Sequence, residues 1–208
     1  MLQLTFDKKK KGVNCQLSIV NCQKGLTLIE LLIGFAIIGL LAVLVAAAYF
    51  AHFKIFSNQS TSIEVASQNK IALDEITNQI RESQAVVNTC ADCSGDTTSS
   101  TVLVLQIWPI NASSEPFEPQ ASAYDFMVYK RDPTDNTKFI KKIIADAASS
   151  RQSSQKIIAT NISDLQFTYD NPDPTLASEI TINLTTTGIS GGKTLTSAQS
   201  TKAVLRNK

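Results

Sequence analysis

The chain has 208 residues, 19 Lys+Arg against 18 Asp+Glu, and a formal net charge of +1. That balance supplies no global field for nucleic acid or an anionic surface. Apolar residues make up 43% and charged ones 18%, but the apolar residues are concentrated in one block, which excludes a disordered chain, a plain soluble globule and a multi-span membrane protein.

Residues 1–25 carry Lys8, Lys9, Lys10, Lys11 and Lys24 against Asp7, a net of +4. The remaining 183 residues carry 14 basic and 17 acidic groups, a net of −3. Positive charge just before a spanning segment holds that end in the cytoplasm and sends the downstream chain outward. The expected topology is N-terminus in, C-terminal domain out.

From Leu31 to Phe53 there is no Asp, Glu, Lys or Arg. A spanning helix needs roughly 20 mostly apolar residues, and residues 26–53 supply them. Gly34 and Gly39 inside this block suit close approach to other helices. Glu30 is the lone charge near its start. A carboxylate at mid-bilayer costs on the order of 2.5–3.5 kcal/mol, and less near an end, so something has to compensate it. One compensation is local: Thr27-Leu28-Ile29-Glu30 fits a capping box, with the acid in the first turn favoured by the helix dipole. A cleaved secretory signal ending near Ala46-Ala47-Ala48 and an uncleaved signal anchor are further readings of the block. The apolar stretch is longer than the roughly 7–15 residues of an ordinary signal.

Lys24-Gly25-Leu26-Thr27-Leu28-Ile29-Glu30-Leu31-Leu32 resembles the prepilin cleavage and methylation site of type IV pilins and type II secretion pseudopilins. Four parts agree: a basic leader, Gly before the cut, Glu as the fifth residue after it, and a long apolar span. The resemblance implies that a prepilin peptidase/methyltransferase cuts between Gly25 and Leu26 and methylates the new Leu26 amine. It further implies that Glu30 pairs with the Leu26 amine of a neighbouring subunit, so that two charges costly in lipid become tolerable together. Leu26 stands where Phe is usual, and no Pro lies in 26–53, which suits a pilin-like subunit better than a major pilin.

Residues 54–87 are expected to continue the helix with an amphipathic character. Ala66, Leu73, Ile80 and Val87 recur every seven residues, with Ile63 and Ile76 on the same stripe, and no Pro or Gly falls in 40–94. A helix over 26–87 would span roughly 90 Å at 1.5 Å per residue. A coiled-coil dimer would use such a stripe, but packing on a sheet is the expected use, because strand-like segments come next in the chain. The turn-rich stretch 89–100 breaks the helix. Strands are expected at 101–108, 124–130, 139–144, 156–159, 165–170, 179–186 and 201–206, with the clearest alternation in Leu165-Gln-Phe-Thr-Tyr169 and Ile180-Thr-Ile-Asn-Leu184. The predicted fold class is α+β: one long helix on an antiparallel sheet, with 88–208 as a β-rich extracytoplasmic head. The order of Ile162–Tyr169, Ile180–Leu184 and Ala203–Asn207 after a prepilin-type start is similar to minor pilins and J-type minor pseudopilins.

Cys15 and Cys22 lie in the leader and would leave with it. Cys90 and Cys93 fall on the side where oxidation is permitted, and a small local disulfide is the expected state. Zinc would want four ligands, and the exported chain offers only His52 besides, so no metal or cofactor is expected. A redox-active pair and free thiols are the other readings. No catalytic signature is present: there is one His, no Gly-x-Ser-x-Gly elbow, and Gly188-Ile-Ser-Gly-Gly is no phosphate loop. Asp125, Asp132, Asp135, Asp170 and Asp173 read as a solvated face; around Asp170–Asp173 the spacing fits no standard calcium pattern. Lys193, Lys202, Arg206 and Lys208 lie in a stretch without acids from 180 onward, but without interleaved aromatics DNA contact is not the expected use. The expected protein is therefore a non-enzymatic minor pilin or pseudopilin. Its expected partners are other pilin or pseudopilin subunits, the prepilin peptidase, an inner-membrane assembly platform and membrane lipid. The rival reading is a signal-anchored extracytoplasmic binding domain that does not polymerise.

Overall fold

A computed structural model describes residues 27–90, 92–119 and 123–206. The fold is α+β, with helix α1 over Leu28–Glu82 followed by eight strands in two antiparallel sheets. The chain divides into two compact units between Ala48 and Tyr49, inside α1.

In the first unit the helix has no Pro to break it and no charge beyond Glu30. Its apolar side chains are exposed; Leu40 is 64% accessible and Val45 is 69%. A window of mean hydropathy 2.9 makes α1 the one helix among the described residues long and apolar enough to cross a membrane.

In the second unit the helix buries Val65, Asn69, Ala72, Leu73, Ile76, Thr77 and Ile80. These steps of three and four are one face of a 3.6-residue period. The seven-residue stripe expected from the sequence is thereby corrected. Leu73, Ile76 and Ile80 are buried, but Ile63 is 69% exposed, because two residues before Val65 at 100° each lies on the opposite side of the helix.

The helix also ends at Glu82, not at 87. Ser83 closes it: its N–H donates to Gln79 O (3.0 Å) and its Oγ to Ile80 O (2.7 Å). The next donor, Gln84 N–H, goes to Gln106 O (2.8 Å), and Val87 N–H goes to Val104 O (3.1 Å). Capture by a neighbouring strand turns the expected last helical turn into strand β1, Ala85–Val86.

The first sheet runs in the order β1, β2 (Leu103–Ile107), β3 (Asp125–Arg131), β4 (Phe139–Ile144), β5 (Ser154–Ala159). The second comprises β6 (Ile162–Tyr169), β7 (Glu179–Ser190) and β8 (Lys193–Val204). Helix residues Ala72, Leu73, Ile76 and Ile80 share one core with Leu105, Met127, Tyr129 and Phe139 of the first sheet and Leu165, Phe167, Ile182 and Leu184 of the second. On the far face of the first sheet Val104, Val128 and Ile144 form a smaller cluster with Cys93.

Strand β8 is far longer than the 201–206 expected. Its first eight residues, Lys193–Ser200, carry one large apolar side chain, Leu195, so periodicity does not mark them. They are held by pairing, from Ser190↔Lys193 to Glu179↔Val204. The turn is Gly191-Gly192, both at positive φ (54° and 78°), the backbone that a two-residue primed hairpin requires.

Polar groups fasten the helix to β7 and β8. Buried Asn69 donates from Nδ2 to Ser197 O (2.7 Å) and Leu184 O (3.3 Å), and Thr186 Oγ1 donates to Val65 O (3.0 Å). The approach is closest at Gly188, where an added Cβ would sit 2.7 Å from Thr61 Cγ2 and 2.8 Å from Val65 Cγ2. Both neighbours are β-branched and stiff at χ1, so relief requires the helix to move. Gly188→Ala is expected to cost about 1–3 kcal/mol, read as a lower thermal midpoint by circular dichroism of the full chain in detergent. An unchanged midpoint would mean that the helix slides freely over β7.

Candidate functional site: a prepilin-type N-terminus

Thr27 precedes the first turn of α1, and it closes a capping box with Glu30. Thr27 N–H and Thr27 Oγ1 both lie 2.9 Å from Glu30 Oε2 as donors, and Glu30 N–H donates to Thr27 Oγ1 (3.3 Å). The first helical bond, Leu31 N–H to Thr27 O, is 3.2 Å. Two otherwise orphan backbone donors are satisfied reciprocally, and the acid sits at the positive end of the helix dipole. Glu30 Oε2 receives both Thr27 bonds; Oε1 carries none among the described residues. Gly25, Leu26, the basic leader, Cys15 and Cys22 lie outside the described residues, so of the predicted processing and assembly set only Glu30 is placed.

Cys90 and Cys93 are joined by a disulfide with Cα atoms 5.2 Å apart. Cys93 is fully buried, packed with Val104, Val128 and Ile144, while Cys90 is half-buried. The turn continues through Ser94 and Gly95 at positive φ to Asp96, whose carboxylate receives Lys130 Nζ at 2.6 and 2.7 Å. The loop thus lids the sheet face that the helix leaves uncovered. The ring is small, so the chain-entropy contribution is about 2 kcal/mol. Cys90→Ser/Cys93→Ser is expected to lower stability by about that amount, with increased binding of a hydrophobic dye at the uncovered cluster. A loss above about 4 kcal/mol, or none, would contradict a purely local staple.

The acidic residues divide by role. Asp125, expected on a solvated face, is fully buried at the start of β3. Its Oδ2 receives Arg151 Nε and Ser149 Oγ, each at 2.8 Å, and its Oδ1 receives Asp146 N–H at 2.8 Å. Nothing local marks this in the sequence, since the partners lie 21 to 26 residues away. Asp170 and Asp173 are exposed, Asp132 and Asp135 are half-buried, and all four fasten turns. The Thr137 hydroxyl, then Lys138, hold the Asp135 carboxyl down to about 2. Asp132 is lowered by Thr134 and Asp170 by Ser178. Asp170 accepts from Ser178 N–H (2.9 Å) and Oγ (2.6 Å), and Asp173 accepts from Thr175. With folded values below unfolded ones, these turns stabilise the head above the ordinary carboxylate range and lose that contribution as pH falls toward 2. Burial pushes the Tyr129 and Tyr169 hydroxyls up.

The described basic residues late in the chain have separate settings. Lys202 Nζ pairs with Glu179 Oε1 at 2.7 Å, a hydrogen bond that raises its pKa. Lys193 is exposed beside the β7–β8 turn, Arg206 lines a cleft at the end of α1, and Lys208 lies outside the described residues.

Residues 20–46 match the family model of the prokaryotic N-terminal methylation motif. The match supports a type IV prepilin-like protein, and the one helix among the described residues long and apolar enough to span is consistent with a membrane anchor. A motif of this kind implies processing by prepilin peptidase and assembly with other pilins. No curated protein matches the chain.

Proposed function

We propose that this chain is a minor structural subunit of a type IV pilus or type II secretion pseudopilus, and not an enzyme. The observation that carries the reading is a methylation motif at 20–46 opening directly into a lone-acid, exposed apolar helix. Residues 1–25 are a cytoplasmic leader removed by cleavage after Gly25, and the Leu26 amine is then methylated. Residues 26–53 hold the subunit in the inner membrane with its head outside, and they pack into the filament core on assembly. Glu30 keeps Oε2 for its own cap and offers Oε1 to the Leu26 amine of a neighbour. The β-rich head makes the lateral or tip contacts, and the assembly platform is the partner that draws the subunit out of the bilayer.

Mass spectrometry of the membrane form tests the processing step. The expected mature N-terminus is methylated Leu26. An intact Met1, or a start at Tyr49 after Ala46-Ala47-Ala48, would replace this reading with a signal anchor or a secretory signal.

A further inference from the structure

At the C-terminal end of α1 an open cleft of about 860 Å³ lies between the helix, the end of β2 and the loop after it. Its size falls within the roughly 300–1,000 Å³ usual for small-molecule sites. Its walls divide by chemistry. Ile107, Met127 and the half-buried Trp108 form an apolar side, and Arg81, Arg151 and Arg206 line the same space.

These three arginines are not equivalent. Arg151 is fixed: its Nε is bound by buried Asp125 Oδ2 at 2.8 Å and its Nη2 donates to Trp108 O at 3.3 Å. Its charge is matched by Asp125. Arg81, in the last turn of the helix, and Arg206, just past β8, are exposed and have neither ion pair nor hydrogen bond among the described residues. Among the described residues the one acid on the cleft wall is Glu82, which accepts from Gln79 Nε2 at 3.3 Å. Setting Asp125 against Arg151 and Glu82 against a second arginine leaves the described residues of the cleft with one positive charge in surplus.

We propose that this cleft is a ligand site for a small organic oxyanion carried on a flat apolar body. The planar guanidinium fork matches carboxylate and phosphate oxygens bidentately, while an indole beside an aliphatic floor accepts a flat ring. Arg81 and Arg206 hold the anionic head; Trp108, Ile107 and Met127 receive the body; Arg151 keeps the Trp108 backbone in place. The site is independent of whether the chain polymerises, since every residue that lines it belongs to the second unit, Tyr49–Lys208.

Trp108 is the sole tryptophan in the chain, so its emission reports on the cleft without labelling. The full chain in detergent micelles is titrated with benzoate and with adenosine monophosphate, and heats of binding are measured in parallel. Adenosine alone and inorganic phosphate alone serve as the body and the head without each other. A saturable change in Trp108 emission with benzoate or the nucleotide is expected, and which of them binds tells a carboxylate from a phosphate source. Arg81→Gln and Arg206→Gln should each weaken binding about tenfold or more, and both positions are exposed, so the circular dichroism spectrum should be unchanged. Saturable binding by neither probe at millimolar concentration overturns the proposal. So does adenosine or inorganic phosphate binding as tightly as the nucleotide where the nucleotide is the ligand, or an affinity in both arginine variants unchanged from that of the unsubstituted chain.

Discussion

Glu30→Ala and Glu30→Gln are both expected to leave cleavage after Gly25 intact and to remove the subunit from filaments. The two substitutions separate the two roles that Glu30 can play. Its Oε2 accepts from Thr27 N–H and Oγ1 at 2.9 Å, and Gln serves that capping position nearly as well as Glu. Glu30→Ala removes the acceptor of the Thr27 N–H and leaves the Thr27 half of the capping box in place. Loss of the charge is the larger effect. In an apolar filament core, an amine left without its carboxylate costs about 3–5 kcal/mol, a hundredfold or more in incorporation. Glu30→Gln keeps the cap and loses the charge, so it should fail nearly as badly as Glu30→Ala. The measurement is the fraction of processed protein recovered in sheared filaments against the membrane pool. Normal recovery of Glu30→Gln with poor recovery of Glu30→Ala would make Glu30 a helix cap and nothing more.

The long apolar stretch of α1 and the capping box at its start were legible because those signals are local. A charge-free run, a basic leader and a Thr-x-x-Glu box each lie within a few dozen residues. Strands with strict alternation, such as Leu165–Tyr169 and Ile180–Leu184, were legible for the same reason. Features decided by distant partners were not. The helix stops at Glu82 because β2, more than twenty residues later, captures Gln84 and Val87. Lys193–Ser200 becomes strand through pairing with β7 and the Gly191-Gly192 turn, although its composition is mostly polar. The arginine cleft draws on Arg81, Trp108, Arg151 and Arg206, from four separate segments, and no spacing rule joins them. Asp125 is the sharpest instance, since a carboxylate at a strand start reads as solvent-facing until its partners are placed.

Arg151→Ala should therefore be among the most damaging substitutions in the head, although Arg151 is itself partly exposed. The Asp125 side chain has no solvent exposure, and that of Arg151 has 25%, so removing the arginine strands a carboxylate that cannot reach water. Ser149 Oγ and Asp146 N–H remain as donors at 2.8 Å, but they supply dipoles in place of a charge. The expected loss is about 3–5 kcal/mol. The damage should spread beyond the pair, because the same segment fastens the loop after β2. Ser150 N–H donates to Ile110 O at 2.8 Å and Ile110 N–H to Ser149 Oγ at 3.2 Å. Trp108 emission should then shift to the red as its carbonyl loses Arg151 and the loop loosens. The double variant Asp125→Ala/Arg151→Ala removes the stranded charge along with its partner and should recover part of the stability lost by Arg151→Ala alone. Thermal unfolding of the three proteins in detergent reads this directly. A double variant no more stable than Arg151→Ala would show that the arginine acts through packing and the Trp108 carbonyl, with the buried charge contributing little.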